Sequence, residues 1–147
     1  MTKAVISVLN SLLMEEVTAA EAYKQVVQRL PNLDIKAELE ELHLAHSKRA
    51  QKLKKRLREL SSTPEKLSRR SPMDAIFSGT ADDLSTRVLI FFENLESSVL
   101  TLYESSLSEL DNLTLSMVQS DLIPDQDVTH NVVHTLKSAM IPLAKSA

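Results

Sequence analysis

The 147 residues contain no cysteine, which excludes disulfides, zinc–thiolate sites and thiol catalysis. There is a single glycine, Gly79. Tight hairpins, phosphate-cradling loops and most sheet topologies lean on glycine, so a β-rich fold and a nucleotide loop are both disfavoured. A surplus of either charge is missing too: 17 Lys and Arg stand against 20 Asp and Glu, a net −3. Nothing in that balance would neutralise a phosphate backbone, so no nucleic-acid partner is expected. No apolar run approaches the roughly 18 residues of a membrane span, so no membrane partner is expected either. The segment Met1–Asn10 has only a short apolar stretch and no cleavage site follows it. No signal peptide is read there, and the expectation is a soluble, cytoplasmic protein.

What is present is leucine, alanine, serine, glutamate and lysine in helical spacing. The pattern predicts an all-α chain of four long segments. The first runs over about 3–30 and stops at Pro31-Asn32. The second runs over about 34–60, with Asp34 as N-cap, and ends at the breaker cluster Ser61-Ser62-Thr63-Pro64. The third opens at Asp82-Asp83 and runs to about Leu110. The fourth covers about 114–140, and Pro124 should kink or split it, since proline lacks the amide hydrogen and clashes with the preceding turn. Residues 61–81 read as an irregular connection, with a short helix over 73–79 closed by Gly79. Short–long–short connections predict one domain over 1–147: an antiparallel four-helix bundle of two helix hairpins joined by a longer link, ferritin-like in topology.

One pattern occurs twice. Glu16, Ala20 and Tyr23 are spaced i, i+4, i+7 in the first segment, and Glu96, Leu100 and Tyr103 repeat that spacing in the third. A carboxylate inside an apolar helix face is costly unless compensated. Helical phase, at about 100° per residue, places Glu16 and Tyr23 near the centre of their face, His46 at the centre of the second and Glu96 near the centre of the third. Asp125 and Thr129 are in phase on the fourth, with Gln126 on its flank. His43 lies off the face, and Glu40 is on the solvent side, so the string Glu40-x-x-His43 fails on phase. His130 and His134 fall on the far side of a regular fourth helix.

The inward polar set is therefore Glu16, His46 and Glu96, with Tyr23 and Tyr103 around it. His43, Asp125, Gln126 and His130 are the less central candidates. Three explanations compete: a metal site, a polar network satisfied without metal, or wet positions at bundle ends. A single buried Glu or His is usually structural, and convergence from three helices is what raises the metal reading. The basic run Lys48-Arg49, Lys52, Lys54-Lys55-Arg56, Arg58, with Arg69-Arg70, reads as a solvated outer face.

Leu12–Tyr23, Glu40–His46, Phe92–Tyr103 and Leu122–Gln126 together resemble the ferritin-like superfamily, in the manner of the bacterial domain-of-unknown-function family 2383. The resemblance covers all four helices. It implies a ligand role for Glu16, His46 and Glu96, iron or manganese as the metal, and a homodimer. Di-iron bundles take Glu from two helices and Glu-x-x-His from the other two. Here the residue three before His46 is His43, and the fourth helix offers Gln126-x-x-Thr129. The expected function is iron or manganese handling or a stress role at an incomplete site. The alternative is a helical interaction or structural protein that has lost the metal.

Overall fold

The computed structural model describes residues 2–30, 32–60, 62–64 and 84–146, with side chains from 3 to 139 among these. Helix α1 spans Thr2–Arg29, α2 Lys36–Glu59 and α3 Leu84–Ser106. A single 3-10 turn, Leu107–Glu109, closes α3. The last rod is built of α4 (Asn112–Met117), a π-helical turn (Val118–Leu122) and α5 (Ile123–Ser146). No strand occurs among the described residues. The connection expected over 61–81, with its short helix, lies outside the described residues apart from Ser62, Thr63 and Pro64.

Each helix exists because its apolar residues recur every three to four positions. On α2 these are Leu39, Leu42, Ala50, Leu53 and Leu57, all buried. On α3 they are Val88, Leu89, Phe92, Val99 and Tyr103. Asp34 does not cap α2; the N-cap position is Ile35, which makes no side-chain cap bond. Asp111 caps α4, its carboxylate accepting from the Thr114 amide at 3.3 Å.

The helix runs through Pro124 without a break. The π turn directly before it absorbs the missing donor: the Ile123 amide bonds to the Val118 carbonyl, five residues back. That wider turn lifts the preceding carbonyls away from the proline ring, and the helix continues.

Cross-helix bonds fix the topology. His43 meets Ala20 and His46 meets Glu16, so α1 and α2 are antiparallel. Ser97 meets His130 and Glu93 meets His134, so α3 and α5 are antiparallel. Arg49–Asp125 and Lys52–Asp121 set α2 and α5 antiparallel as well. It follows that α2 and α3 run the same way, so the link between the two hairpins starts at one end of the bundle and finishes at the other. The all-α bundle of two joined hairpins is the fold observed.

The core is two apolar clusters. One contains Leu9, Leu12, Leu13, Leu53, Leu57, Val99, Val118 and Leu122. The other contains Tyr23, Val26, Leu39, Leu42, Val88, Leu89, Phe92 and Val133. Between them, midway along the bundle, lies a layer of buried polar and charged residues.

Candidate functional site

The polar layer consists of Glu16 from α1, His46 and Arg49 from α2, Glu96 from α3, and Gln126 and Thr129 from α5. Glu16, His46, Arg49, Glu96 and Gln126 are 0% exposed and Thr129 is 4% exposed. His46 is the centre. Its Nδ1 lies 2.9 Å from Glu16 Oε1, and its Nε2 lies 2.6 Å from Glu96 Oε2 and 3.1 Å from Oε1. The three residues picked out by helical phase therefore do meet, around one imidazole.

Arg49 enters the same space. Its Nε donates to Glu16 Oε2 at 2.5 Å and its Nη1 to Asp125 Oδ2 at 2.5 Å. Nη2 donates to Gln126 Oε1 at 2.7 Å and to Thr129 Oγ1 at 3.3 Å. Gln126 completes the ring, its Nε2 donating to the Glu96 backbone carbonyl at 2.9 Å. That pair of bonds fixes which way the amide points. Arg49 Nη2 is also 2.9 Å from His46 Nδ1 and 3.4 Å from Nε2. A donor on the Nδ1 lone pair would lie far from Nε2, so these two distances put the guanidinium over the ring face. Both ring N–H groups are then left to donate to the carboxylates. The layer reads as an imidazolium between two carboxylates, with a guanidinium stacked on it.

The electrostatics agree. Burial alone would push His46 down, but the hydrogen bonds and charges of Glu16 and Glu96 outweigh it and hold its pKa above the ordinary histidine value. Burial would raise Glu96, yet the His46 hydrogen bond and charge, helped by Thr129 and Arg49, bring it below the usual carboxylate range. Burial works against the Arg49 charge as well, and Glu16 and Asp125 more than restore it. Both buried carboxylates are thus hydrogen-bonded to His46, and Glu16 to Arg49 as well.

The repeated Glu-x6-Tyr spacing has a structural meaning. Because α1 and α3 are antiparallel, each tyrosine is coupled to the other helix's carboxylate: Tyr23 to Glu96 and Tyr103 to Glu16. Burial first, then those carboxylates, raise both phenols well above their ordinary pKa. Neither hydroxyl makes a hydrogen bond of ordinary geometry. Tyr23 stacks on Phe92 with ring centres 3.9 Å apart, and on His46 at 5.4 Å. It holds the imidazole against the apolar core.

The other candidates fall outside or at the edge. His43 Nδ1 bonds to the Ala20 carbonyl at 2.8 Å, away from the carboxylates. His130 Nε2 lies 3.2 Å from Ser97 Oγ. Asp125 is on the rim, its side chain 43% exposed, and reaches the layer only through Arg49. Gln126, read as flanking, is central because the inward valine of α5 is Val133, two turns after it, and its neighbour Val132 is 37% exposed.

Arg49 is the residue that sequence reasoning missed. It was grouped with the solvated basic run, yet it stands seven residues after Leu42 and four before Leu53, both buried. Phase alone, applied without regard to residue type, would have placed it inward. It also corrects the register on α2. The inward i, i+3 pair there is His46-x-x-Arg49, matching Gln126-x-x-Thr129 on α5.

The arrangement is similar to solved structures. A bacterioferritin from Desulfovibrio desulfuricans, described with a di-iron site in different catalytic states, superposes with a TM-score of 0.84 at 17% identity, over 99% of this chain and 84% of that one. The fold is ferritin-like. A ferritin-like di-iron-carboxylate protein from Bacillus anthracis str. Ames gives a TM-score of 0.73 at 20% identity, over 92% of this chain and 96% of the other. No family model and no curated protein matches the chain. The finer resemblance to family 2383 therefore gains no support, and the ferritin-like likeness stands at the level of fold.

On this ferritin-like frame, the residues do not fit a di-iron centre. Where Glu-x-x-His is needed twice, the chain has His-x-x-Arg and Gln-x-x-Thr. A ligating histidine needs a bare ring nitrogen, and both nitrogens of His46 face carboxylates. A metal ion among Glu16 and Glu96 would also meet the guanidinium of Arg49, a fixed positive charge already hydrogen-bonded to Glu16. Among the described residues, no group of three or more His, Asp and Glu side chains is disposed to hold a metal.

Proposed function

We propose that this chain is a ferritin-like bundle in which a histidine–arginine ion network takes the place of the metals, and that it works as a non-catalytic structural or interaction protein. The observation that carries the reading is the Arg49 guanidinium, hydrogen-bonded at once to Glu16, Asp125, Gln126 and Thr129. A buried network of this kind favours conformational specificity, because it rewards the one helix packing that brings these donors and acceptors together. It divides the two apolar clusters and so fixes the register of α1, α2, α3 and α5 against one another.

A second reading is iron or manganese handling. Glu16 and Glu96 remain on two helices of a fold shared with di-iron-carboxylate proteins, and that observation favours it. It requires Arg49 to leave the layer. Elemental analysis separates the two after anaerobic incubation of the purified chain with ferrous iron or manganese, followed by desalting. The ion-network reading expects metal far below one ion per chain. Near-stoichiometric metal, abolished by Glu16→Ala and by Glu96→Ala, would overturn it and establish the second reading.

A further inference from the structure

Two histidines stand at the outer edge of the seam between α3 and α5, and the ion network uses neither. His130 and His134 are four residues apart on α5, which is regular α-helix over this stretch. Residues at i and i+4 share a helix face, with Cβ atoms about 5–6 Å apart. Helical side chains lean toward the helix N-terminus, so His134 is carried back over the turn that holds His130. This is the spacing by which a helix offers two imidazoles to one ion, as in the His-Glu-x-x-His zinc string. Here the string is His130-Asn131-Val132-Val133-His134, without the glutamate that serves as base in that motif.

Two histidines four apart also occur by chance, so spacing alone carries little. The neighbouring helix adds more. Glu93 and Ser97 of α3 are four apart as well, and each meets one of the two rings. His134 Nδ1 lies 3.0 Å from Glu93 Oε2. A carboxylate only accepts, so Nδ1 carries the proton and, in the neutral ring, Nε2 keeps its lone pair. The His134 side chain is 65% exposed, so an ion can reach it from solvent. His130 Nε2 lies 3.2 Å from Ser97 Oγ. With Nε2–H donating to that hydroxyl, Nδ1 is the bare nitrogen of His130. A metal-ligating histidine almost always gives its other ring N–H to an oxygen, which fixes the tautomer and raises the basicity of the ligating nitrogen. Glu93 and His134 form the carboxylate version of that arrangement.

The competing explanation is a surface ion cluster. Lys137 Nζ donates to Glu93 Oε1 at 2.8 Å, so this carboxylate already has a cation. A protonated His134 would put a second cation on it. A neutral His134 leaves the Lys137–Glu93 pair balanced, and the neutral ring is the form that a metal binds. Lys137 works against an ion nearby, and its pairing with Glu93 reduces that repulsion.

Among the described residues, no third His, Asp or Glu side chain completes a three-ligand group. Water would take the remaining positions, as it does at open zinc sites. Imidazole suits zinc, nickel and copper(II), and affinity falls along the first row toward ferrous iron and manganese.

We propose that His130 and His134 form a surface site for a divalent transition-metal ion of the zinc, nickel and copper(II) class, with Glu93 as the positioning residue for His134. The site goes beyond the ion network and is independent of it: the rings are held by Glu93 and Ser97, neither of which belongs to the buried layer.

The test is calorimetric titration of the full chain with zinc chloride and with nickel(II) chloride, using circular dichroism to confirm that each variant is folded. Wild-type protein is expected to bind either ion saturably, with a stoichiometry of about one per chain. Glu93→Gln should weaken binding about tenfold with the stoichiometry unchanged. Lys137→Gln, which removes the other partner of Glu93, should not weaken it. His130→Ala and His134→Ala should each weaken it more than Glu93→Gln does. The variant His134→Ala/Thr135→His keeps the chain's four histidines but turns the second ring about 100° around the helix, and it should not restore binding. His43→Ala should bind as wild type does. In His130→Ala/His134→Ala the surface pair is gone, so a transition metal offered to the buried layer of that variant meets no competing pair. No saturable binding by wild type, binding indifferent to either alanine change, or full affinity in the variant with the shifted histidine would each overturn the proposal.

Discussion

Replacing Arg49 with methionine is expected to cost about 3–5 kcal/mol of stability, the penalty for stranding a buried charge by removing its partner. For a chain of this length that corresponds to a fall in Tm on the order of 10 °C. The cost comes from what the guanidinium leaves behind. Glu16 keeps only His46, and Gln126 and Thr129 lose the donor that both accept from. Methionine fills the volume, so the loss measures charge and hydrogen bonding more than a cavity. Lysine should not rescue, since one ammonium cannot reach four acceptors arranged for a planar fork. Removing both charges is a different matter. The double variant Glu16→Gln/Arg49→Met should recover a large part of the loss, because a neutral amide still accepts from His46 and no bare charge remains. Thermal and urea unfolding of the three proteins check this. A methionine variant as stable as wild type would mean that Arg49 is not held as described.

The second large effect is with pH, and its sign follows from two groups. His46 has its pKa raised in the folded chain. Its contribution is fully present below the unfolded value of about 6.5 and is lost as pH rises through the folded pKa above it. Glu96 has its pKa lowered. Its contribution is present above the unfolded value of about 4.3 and is lost as pH falls through the folded pKa below it. The groups facing His46 are Glu16 of α1, Arg49 of its own helix, Glu96 of α3 and the phenol ring of Tyr23, while the phenol of Tyr103 is coupled to Glu16. Neither phenol ionises in this range, because both are raised well above their ordinary pKa. Urea midpoints should therefore be highest between about pH 4.5 and 6.5 and should decline on both sides. At the acid end, Glu93 and Asp111, lowered by Lys137 and by the Thr114 hydroxyl, add smaller surface contributions. His46→Gln should lower stability in the plateau and flatten the alkaline limb. A wild-type midpoint unchanged from pH 6.5 to 9 would contradict an imidazolium at this position.

Much of this is legible in the sequence alone. The period of the leucines gave the four helices, and one glycine among 147 residues left little room for anything but helix. Helical phase found Glu16, His46 and Glu96, since a polar residue in a regular apolar face stands out. Arg49 did not stand out, because it sits in a run of lysines and arginines and an isolated arginine is rarely buried. Its inward position is set by Leu42 and Leu53, and its neutralisation by Glu16, thirty-three positions away in sequence. That second fact cannot be read from the local pattern. Gln126 was misplaced for another reason. Val132 and Val133 stand side by side, and the apolar pattern alone does not say which faces the core; Val133 does, which brings Gln126 inward and leaves Asp125 at the rim.

In the proposed ion network, the cations of the buried layer are the guanidinium of Arg49 and the imidazolium of His46. The most direct measurement is a nitrogen-15 spectrum of both side chains at neutral pH, recorded before and after addition of excess paramagnetic cobalt(II). The account predicts two protonated ring nitrogens on His46 and a slowly exchanging Arg49 Nε–H, none of them shifted or broadened by the metal. A deprotonated ring nitrogen, with loss of these signals or large paramagnetic shifts once cobalt is added, would show that metal takes the site and would contradict it.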